Sequence, residues 1–166
     1  NLSMTNSVVM GRMICATLMM AADLKSDKNV ITLKIDGDGP AGTAIVTARK
    51  DGNVKYYTNN PEIEIPLNVD TKTFDIKNAI GNGTLTIIKD LGMKSPYIGQ
   101  IELVYSTIAK DLTYYFAKSE QIPSSVGLGV LVIPDGNVKK AGGFIIQLLP
   151  GATEDIILKI EGFLTI

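Results

Sequence analysis

The 166-residue chain carries 16 Lys+Arg against 17 Asp+Glu, a formal net charge of −1, with 45% hydrophobic residues, one Cys and neither His nor Trp. This balance lacks the basic surplus a nucleic-acid binder needs to displace counterions, and its apolar content at low net charge excludes disorder. Without His, and with one Cys, it has no Ser-His-Asp or Cys-His catalytic site, no His-ligated metal centre, no internal disulfide and no four-thiolate zinc site.

The length suits one domain with a core of its own. The chain opens at Asn1-Leu2-Ser3 without an initiator Met and already in a helical pattern. It is read as a piece of a longer protein, short at both ends. Residues 4–22 are predicted helical, with Val8, Val9, Met13, Ile14, Ala16, Leu18 and Met20 on several sides, the pattern of a largely buried helix. The ten-residue apolar stretch from Met13 to Ala22 is too short to span a bilayer and lacks the basic leader and cleavage site of a signal peptide. A cytoplasmic location without membrane contact is expected. Five of the six Met residues fall in the first twenty positions; ordinary core packing is preferred here to an adaptable binding surface. Burial of Cys15 would raise its pKa and leave it inert. Arg12, the only charge in the helix, is expected to reach water or pair with a carboxylate, Glu120 being the candidate.

From Val30 onward the period changes to two. Ile31, Leu33 and Ile35 alternate with Thr32, Lys34 and Asp36, marking a strand with one buried face. The Gly37-Asp38-Gly39-Pro40 turn leads to a strand over Gly42 to Arg49. Lys50-Asp51-Gly52-Asn53 turns it into Val54 to Tyr57. Strand-like alternation at Ile63 and Ile65 follows Asn59-Asn60-Pro61, and strands are predicted at Thr84 to Lys89 and Ile98 to Tyr105. A helix over Thr107 to Ser119 has Ile108, Leu112, Tyr115 and Phe116 on its apolar stripe, with Lys110, Asp111, Thr113 and Lys118 largely off it. The apolar run Val126 to Ile133 predicts a central strand, returning through Pro134-Asp135-Gly136-Asn137 into Val138 to Leu149. Thr153, Glu154 and Asp155 open a last amphipathic helix carrying Ile156, Ile157, Ile160 and Leu164. The predicted fold is a single α+β domain of packed, largely antiparallel or mixed sheets, with at least seven strands and about three helices.

Several residue groups imitate functional motifs. Gly37 to Gly42 follows a strand like a dinucleotide fingerprint, but Pro40 removes an amide donor and strand-like residues follow where a helix should begin. A turn is the better reading. Gly127, Gly129, Gly142 and Gly143 lie inside strands, where glycine marks bulges or close backbone approach. Asp36, Asp38, Asp51, Asp111, Glu120 and Asp135 could supply a metal site or an acid–base pair, yet four of them sit in turns or at strand ends, where Asp is favoured for backbone reasons. Tyr56-Tyr57 and Tyr114-Tyr115-Phe116 lack the interleaved basic residues of a base-stacking platform, so a packing role is expected.

The stretches Lys89-Asp90-Leu91-Gly92-Met93-Lys94-Ser95-Pro96-Tyr97, Ala109 to Phe116, Ser119-Glu120-Gln121-Ile122-Pro123-Ser124-Ser125-Val126 and Ala141-Gly142-Gly143-Phe144 through Ala152 closely resemble the N-terminal core of the heat-shock protein 33 family, redox-regulated holdase chaperones. The Gly-Asp-Gly-Pro turn, Asn60-Pro61 and the Gly11-Arg12 helix fall in the same order. Tyr105-Ser106-Thr107 departs from the Ser-Gly-Glu type of turn usual in the family. The resemblance implies an ATP-independent chaperone that binds unfolding client proteins and forms a homodimer when activated. It also implies a C-terminal module whose four Cys thiolates hold Zn2+ and oxidise to two disulfides. None of those cysteines lies within Asn1–Ile166; Cys15 matches no switch position. No catalytic, cofactor-binding or metal-binding residue is therefore assigned, and the client-binding residues stay open. The alternatives are a carboxylate enzyme using Glu120 and Asp38 in one pocket, and a structural dimerisation domain pairing through strand edges.

Overall fold

The structure, a computed structural model, describes residues 2–164. Helix α1 (Met4–Ala22) begins at Ser3, whose hydroxyl accepts the Asn6 amide proton. By length and composition alone α1 is apolar enough to cross a membrane. Its side chains go into the protein core instead: Val8, Val9, Met10, Met13, Ala16 and Ala21 are all buried. The core reading of the Met-rich segment holds for Met10 and Met13.

Strands β1 (Val30–Gly37), β2 (Thr43–Ala48), β3 (Val54–Thr58), β4 (Gly83–Asp90) and β5 (Tyr97–Glu102) form an antiparallel sheet in the order β3-β2-β1-β4-β5. Alternation sets its faces. Leu33 is in register with Val46 and Ile87, and Ile35 with Ala44 and Leu85; all six are buried beneath α1. The opposite face carries Thr32, Lys34, Thr47 and Thr86, with apolar residues towards its margins.

A hairpin of β6 (Ser124–Val132) and β7 (Val138–Gln147) covers the other side of α1. Close approach requires a glycine in the helix: a Cβ on Gly11 would lie 2.8 Å from a Val130 methyl. Here the structure corrects the sequence reading, because among the described residues β6 pairs only with β7 and is not central. The run reads as continuous because Gly127 and Gly129 fill outward positions between Val126, Leu128 and Val130. At Gly127 the Phe144 ring lies over the position a Cβ would take, whereas at Gly129 the face is open.

Other departures are local. Ile63 and Ile65 form no strand; the segment is held by the start of α1, where the Ser3 amide donates to Pro61 O and the Asn6 side-chain amide to Asn60 O. A five-residue helix, α2 (Ile76–Ile80), capped by Asp75, is too short to display a period. Strand β5 stops at Glu102 and helix α3 spans Ala109–Tyr115, so residues 103–108 form a turn. Asp111, expected off the buried stripe, is fully buried. Helix α4 (Glu154–Leu164) is present as predicted and exposes Ile156, Leu158 and Phe163; the side chains of Ile157 and Leu164 lie outside the described residues.

Candidate functional site

Asp51 and Asp135 each accept the backbone and side-chain amide protons of the Asn two residues on, with Gly52 and Gly136 at φ 86° and 87° between them. These amides hold both carboxyls below the usual carboxylate range. Both are turn devices. Asp36 accepts from Thr43 and pairs with Lys34 on the outer sheet face. Asp38 accepts the Asn82 backbone amide at 2.7 Å, locking the Gly-Asp-Gly-Pro turn, and lines neither of the two cavities described below. Asp38 and Glu120 thus share neither cavity, and the alternative enzyme reading that needs them in one pocket gains no support from these two. Tyr56 and Tyr57 are exposed on β3, whereas Tyr115 is buried in the core. Cys15 is partly buried, which pushes its thiol pKa up.

Arg12 does not meet Glu120. Its guanidinium donates to the Thr107 carbonyl at 3.3 Å, and burial lowers its pKa. Glu120 has another partner, fixed by the backbone. After α3 the helix widens over Phe116–Glu120, where the Gln121 amide reaches back to Phe116 O and Gln121 turns left-handed at φ 57°. Such widened turns often re-aim a side chain. Here the Glu120 carboxylate meets Lys89 Nζ at 2.5 Å and accepts the Tyr115 hydroxyl at 3.2 Å. Lys89 stands in register with Ile31 and Tyr97 on the buried face of the sheet, a position that demands a counter-charge. The alternation Leu85, Ile87, Lys89 carried that signal, and sequence reasoning missed Lys89. Gly99 completes the arrangement: a Cβ there would strike the Tyr115 hydroxyl.

Burial, with Glu120 nearby, pushes the Tyr115 phenol above its ordinary pKa of 10. The unfolded chain then loses this proton at alkaline pH while the folded chain keeps it, so stability is retained below pH 10 and falls as pH rises beyond it. Denaturant titrations between neutral pH and pH 11 should show a steeper alkaline loss for the native chain than for Tyr115→Phe. Parallel curves would show that another group is responsible.

Two cavities flank the Lys89–Glu120 pair. One, of about 670 Å3, opens between the end of α1 and β7 and includes Met19, Met20, Leu24, Phe116 and Ile145 in its wall. The other, of about 630 Å3, lies under the β4–β5 loop and includes Met93, Pro96, Tyr97 and Ile122. Lys89, Leu91 and Glu120 line both. Exposed apolar groups continue from there: Met93 is 73% exposed and Ile98 59%. Ile98 pairs with Ile88, and Tyr57 with Ile45, on the outer sheet face, across which no helix packs among the described residues. The arrangement offers apolar area and one ion pair, with no group of three or more metal-ligating side chains among the described residues.

Comparison with known proteins follows the same lines. A family model described as Hsp33 protein matches residues 1–165. A protein named 33 kDa chaperonin from Clostridium perfringens is 56% identical over 151 residues, covering 90% of this chain and 48% of that protein. One of the same name from Agathobacter rectalis is 52% identical over 159 residues, 96% of this chain and 55% of its own length. The crystal structure of a 33 kDa chaperonin (heat shock protein 33 homolog) from Thermotoga maritima superposes with a TM-score of 0.92 at 40% identity, over 99% of this chain and 56% of that one. The chain thus spans about half the length of the relatives it matches.

Proposed function

The chain belongs to the Hsp33 family, and from that premise we propose that it is the client-binding core of an ATP-independent holdase chaperone, acting in the cytoplasm by covering apolar segments of unfolding proteins. The observation that carries this reading is the apolar area left at the surface beside a well-packed core. Leu91, Met93, Tyr97 and Ile98 are exposed on or beside one hairpin loop, and large exposed apolar patches mark interaction sites. Holding requires no reacting group. Exposed apolar area lowers the free energy of a bound non-native segment by about 25 cal/mol for each Å2 removed from water, and no catalytic step is assigned to any residue.

The zinc implied by the family does not fit these residues. One thiol, Cys15, and no imidazole are available, where a structural zinc needs four such ligands. Oxidative control and activated homodimer formation are accordingly proposed for the whole protein, and no step of client holding in this chain runs through the metal.

Light scattering from a heat-unfolding client such as citrate synthase tests the reading. The chain, at a few-fold molar excess and without oxidant, is expected to suppress the scattering. A chain that leaves it unchanged at that excess overturns the assignment.

A further inference from the structure

We propose that the two cavities beside Lys89 and Glu120 act as one groove for an extended, uncharged apolar segment of a non-native polypeptide, an inference that rests on the chaperone reading above. The cavities are contiguous through their shared residues Lys89, Leu91 and Glu120. Each is large enough for one or more side chains, so a segment crossing the ion pair would place apolar groups on either side. Met19 and Met20 line one cavity and Met93 the other. Methionine's unbranched, polarizable side chain adapts to varied shapes, as a site for many sequences needs.

Charge complementarity selects the occupant. The ionisable Asp, Glu and Lys side chains lining the groove are Asp23, Lys25, Lys89 and Glu120, two of each sign, with Lys89 and Glu120 already paired. At the junction of the two cavities a charged segment would lose its hydration where Lys89 and Glu120 already neutralise each other, and Asp23 and Lys25, of opposite sign, lie at the exposed rim. An uncharged apolar segment loses little there and gains burial. The pair also suits a peptide backbone. Lys89 Nζ has protons beyond the one given to Glu120, and Glu120 Oε2 accepts no hydrogen bond among the described residues. Together they present a donor to a carbonyl and an acceptor to an amide of a chain lying across them.

The test uses the chain with Leu91→Glu and Met93→Glu, both at exposed positions, against a control with Val69→Glu and Leu131→Glu, which are 78% and 52% exposed and line neither cavity. Circular dichroism and thermal midpoints establish that both variants are folded. Fluorescence anisotropy is read with a labelled peptide of about eight Leu, Val, Ala and Ser residues, and with a counterpart carrying two Asp. Affinity for the uncharged peptide is expected to fall about tenfold in the groove variant and less than about twofold in the control, with the Asp peptide about tenfold weaker on the native chain. Holding of unfolding citrate synthase should follow the same order. Equal peptide affinity in the groove variant and the native chain overturns the proposal. So does an equal loss in the control, or sedimentation showing that the groove substitutions abolish only self-association. If the native chain binds peptide in the groove yet leaves client scattering untouched, the groove stands and the chaperone reading falls.

Discussion

Replacing Asp111 with Ala is expected to cost the fold about 3–5 kcal/mol, as removal of a buried, multiply bonded carboxylate does. Asp111 is fully buried and accepts five backbone amide protons. Val104, Tyr105 and Ser106 donate to Oδ1, and Thr107 and Ile108 to Oδ2, at 2.8–3.2 Å. The turn it organises would not hold its shape alone. Ser106 and Ile108 have positive φ, 53° and 71°. Ile108, a β-branched residue with no exposed surface, adopts a strained γ-turn conformation at ψ −59°, with the Ala109 amide donating to the Thr107 carbonyl, which surrounding contacts maintain. Ser106 thus holds a positive φ that glycine would adopt without steric cost. Asp111→Asn keeps one side-chain acceptor and should lose roughly half as much. Urea unfolding at unchanged m value measures both losses. A change below about 1 kcal/mol for the Ala variant would show that water replaces the carboxylate and that the turn is held by other contacts. The consequence reaches the groove, because this turn launches α3, whose widened end carries Glu120.

Gly37→Ala should destabilise by about 3 kcal/mol, at the upper end for overpacking. A Cβ at Gly37 falls on the Ile80 carbonyl oxygen, and one at Gly39 meets the Ala79 carbonyl oxygen at 2.6 Å. Both carbonyls already accept amide protons from this turn, from Gly39 to Ile80 O and from Ala41 to Ala79 O, at 2.9 Å each. The glycines allow the β1–β2 turn to lie directly on the backbone at the end of α2. The substitution must therefore separate the turn from α2 or break those bonds. Gly52→Ala is the informative comparison: no atom lies within 4 Å of its Cβ, so only the cost of its left-handed φ remains, about 1 kcal/mol. Thermal unfolding of the two variants distinguishes steric from conformational cost. Equal losses would refute the close-contact explanation.

Much of this fold was legible from periodicity. The α1 boundaries, the alternation along β1, β2 and β4, and both Asp-Gly-Asn turns follow from local rules that operate within a few residues. What failed was whatever depends on a distant neighbour. Nothing local in Val126 to Ile133 shows that β6 has one partner strand instead of two. Ile63 and Ile65 alternate like a strand, yet α1 takes up their neighbouring backbone. Asp111 looks like a solvent-facing helix residue until the preceding turn folds over it. Lys89 was readable in principle, since a charge at an inward position calls for a partner, but the partner's identity was not. Arg12 and Glu120 are each the kind of residue that seeks an opposite charge, and pattern alone could not say that Glu120 meets Lys89 while Arg12 meets a carbonyl.

The amino-acid sequence by itself determined the α+β composition, the buried helix, the turn chemistry, the family resemblance and the lack of a thiol or imidazole set for zinc. Each of these is a matter of residue type and short spacing. Only the tertiary structure decided that β6 and β7 cap α1 from the far side, that Lys89 and Glu120 neutralise each other, and that two cavities adjoin at that pair. Those features depend on side chains up to 31 positions apart in the Lys89–Glu120 case. Burial and partner choice at such separations are set by packing of the whole chain, because the free energy of a buried charge depends on which group the fold brings beside it.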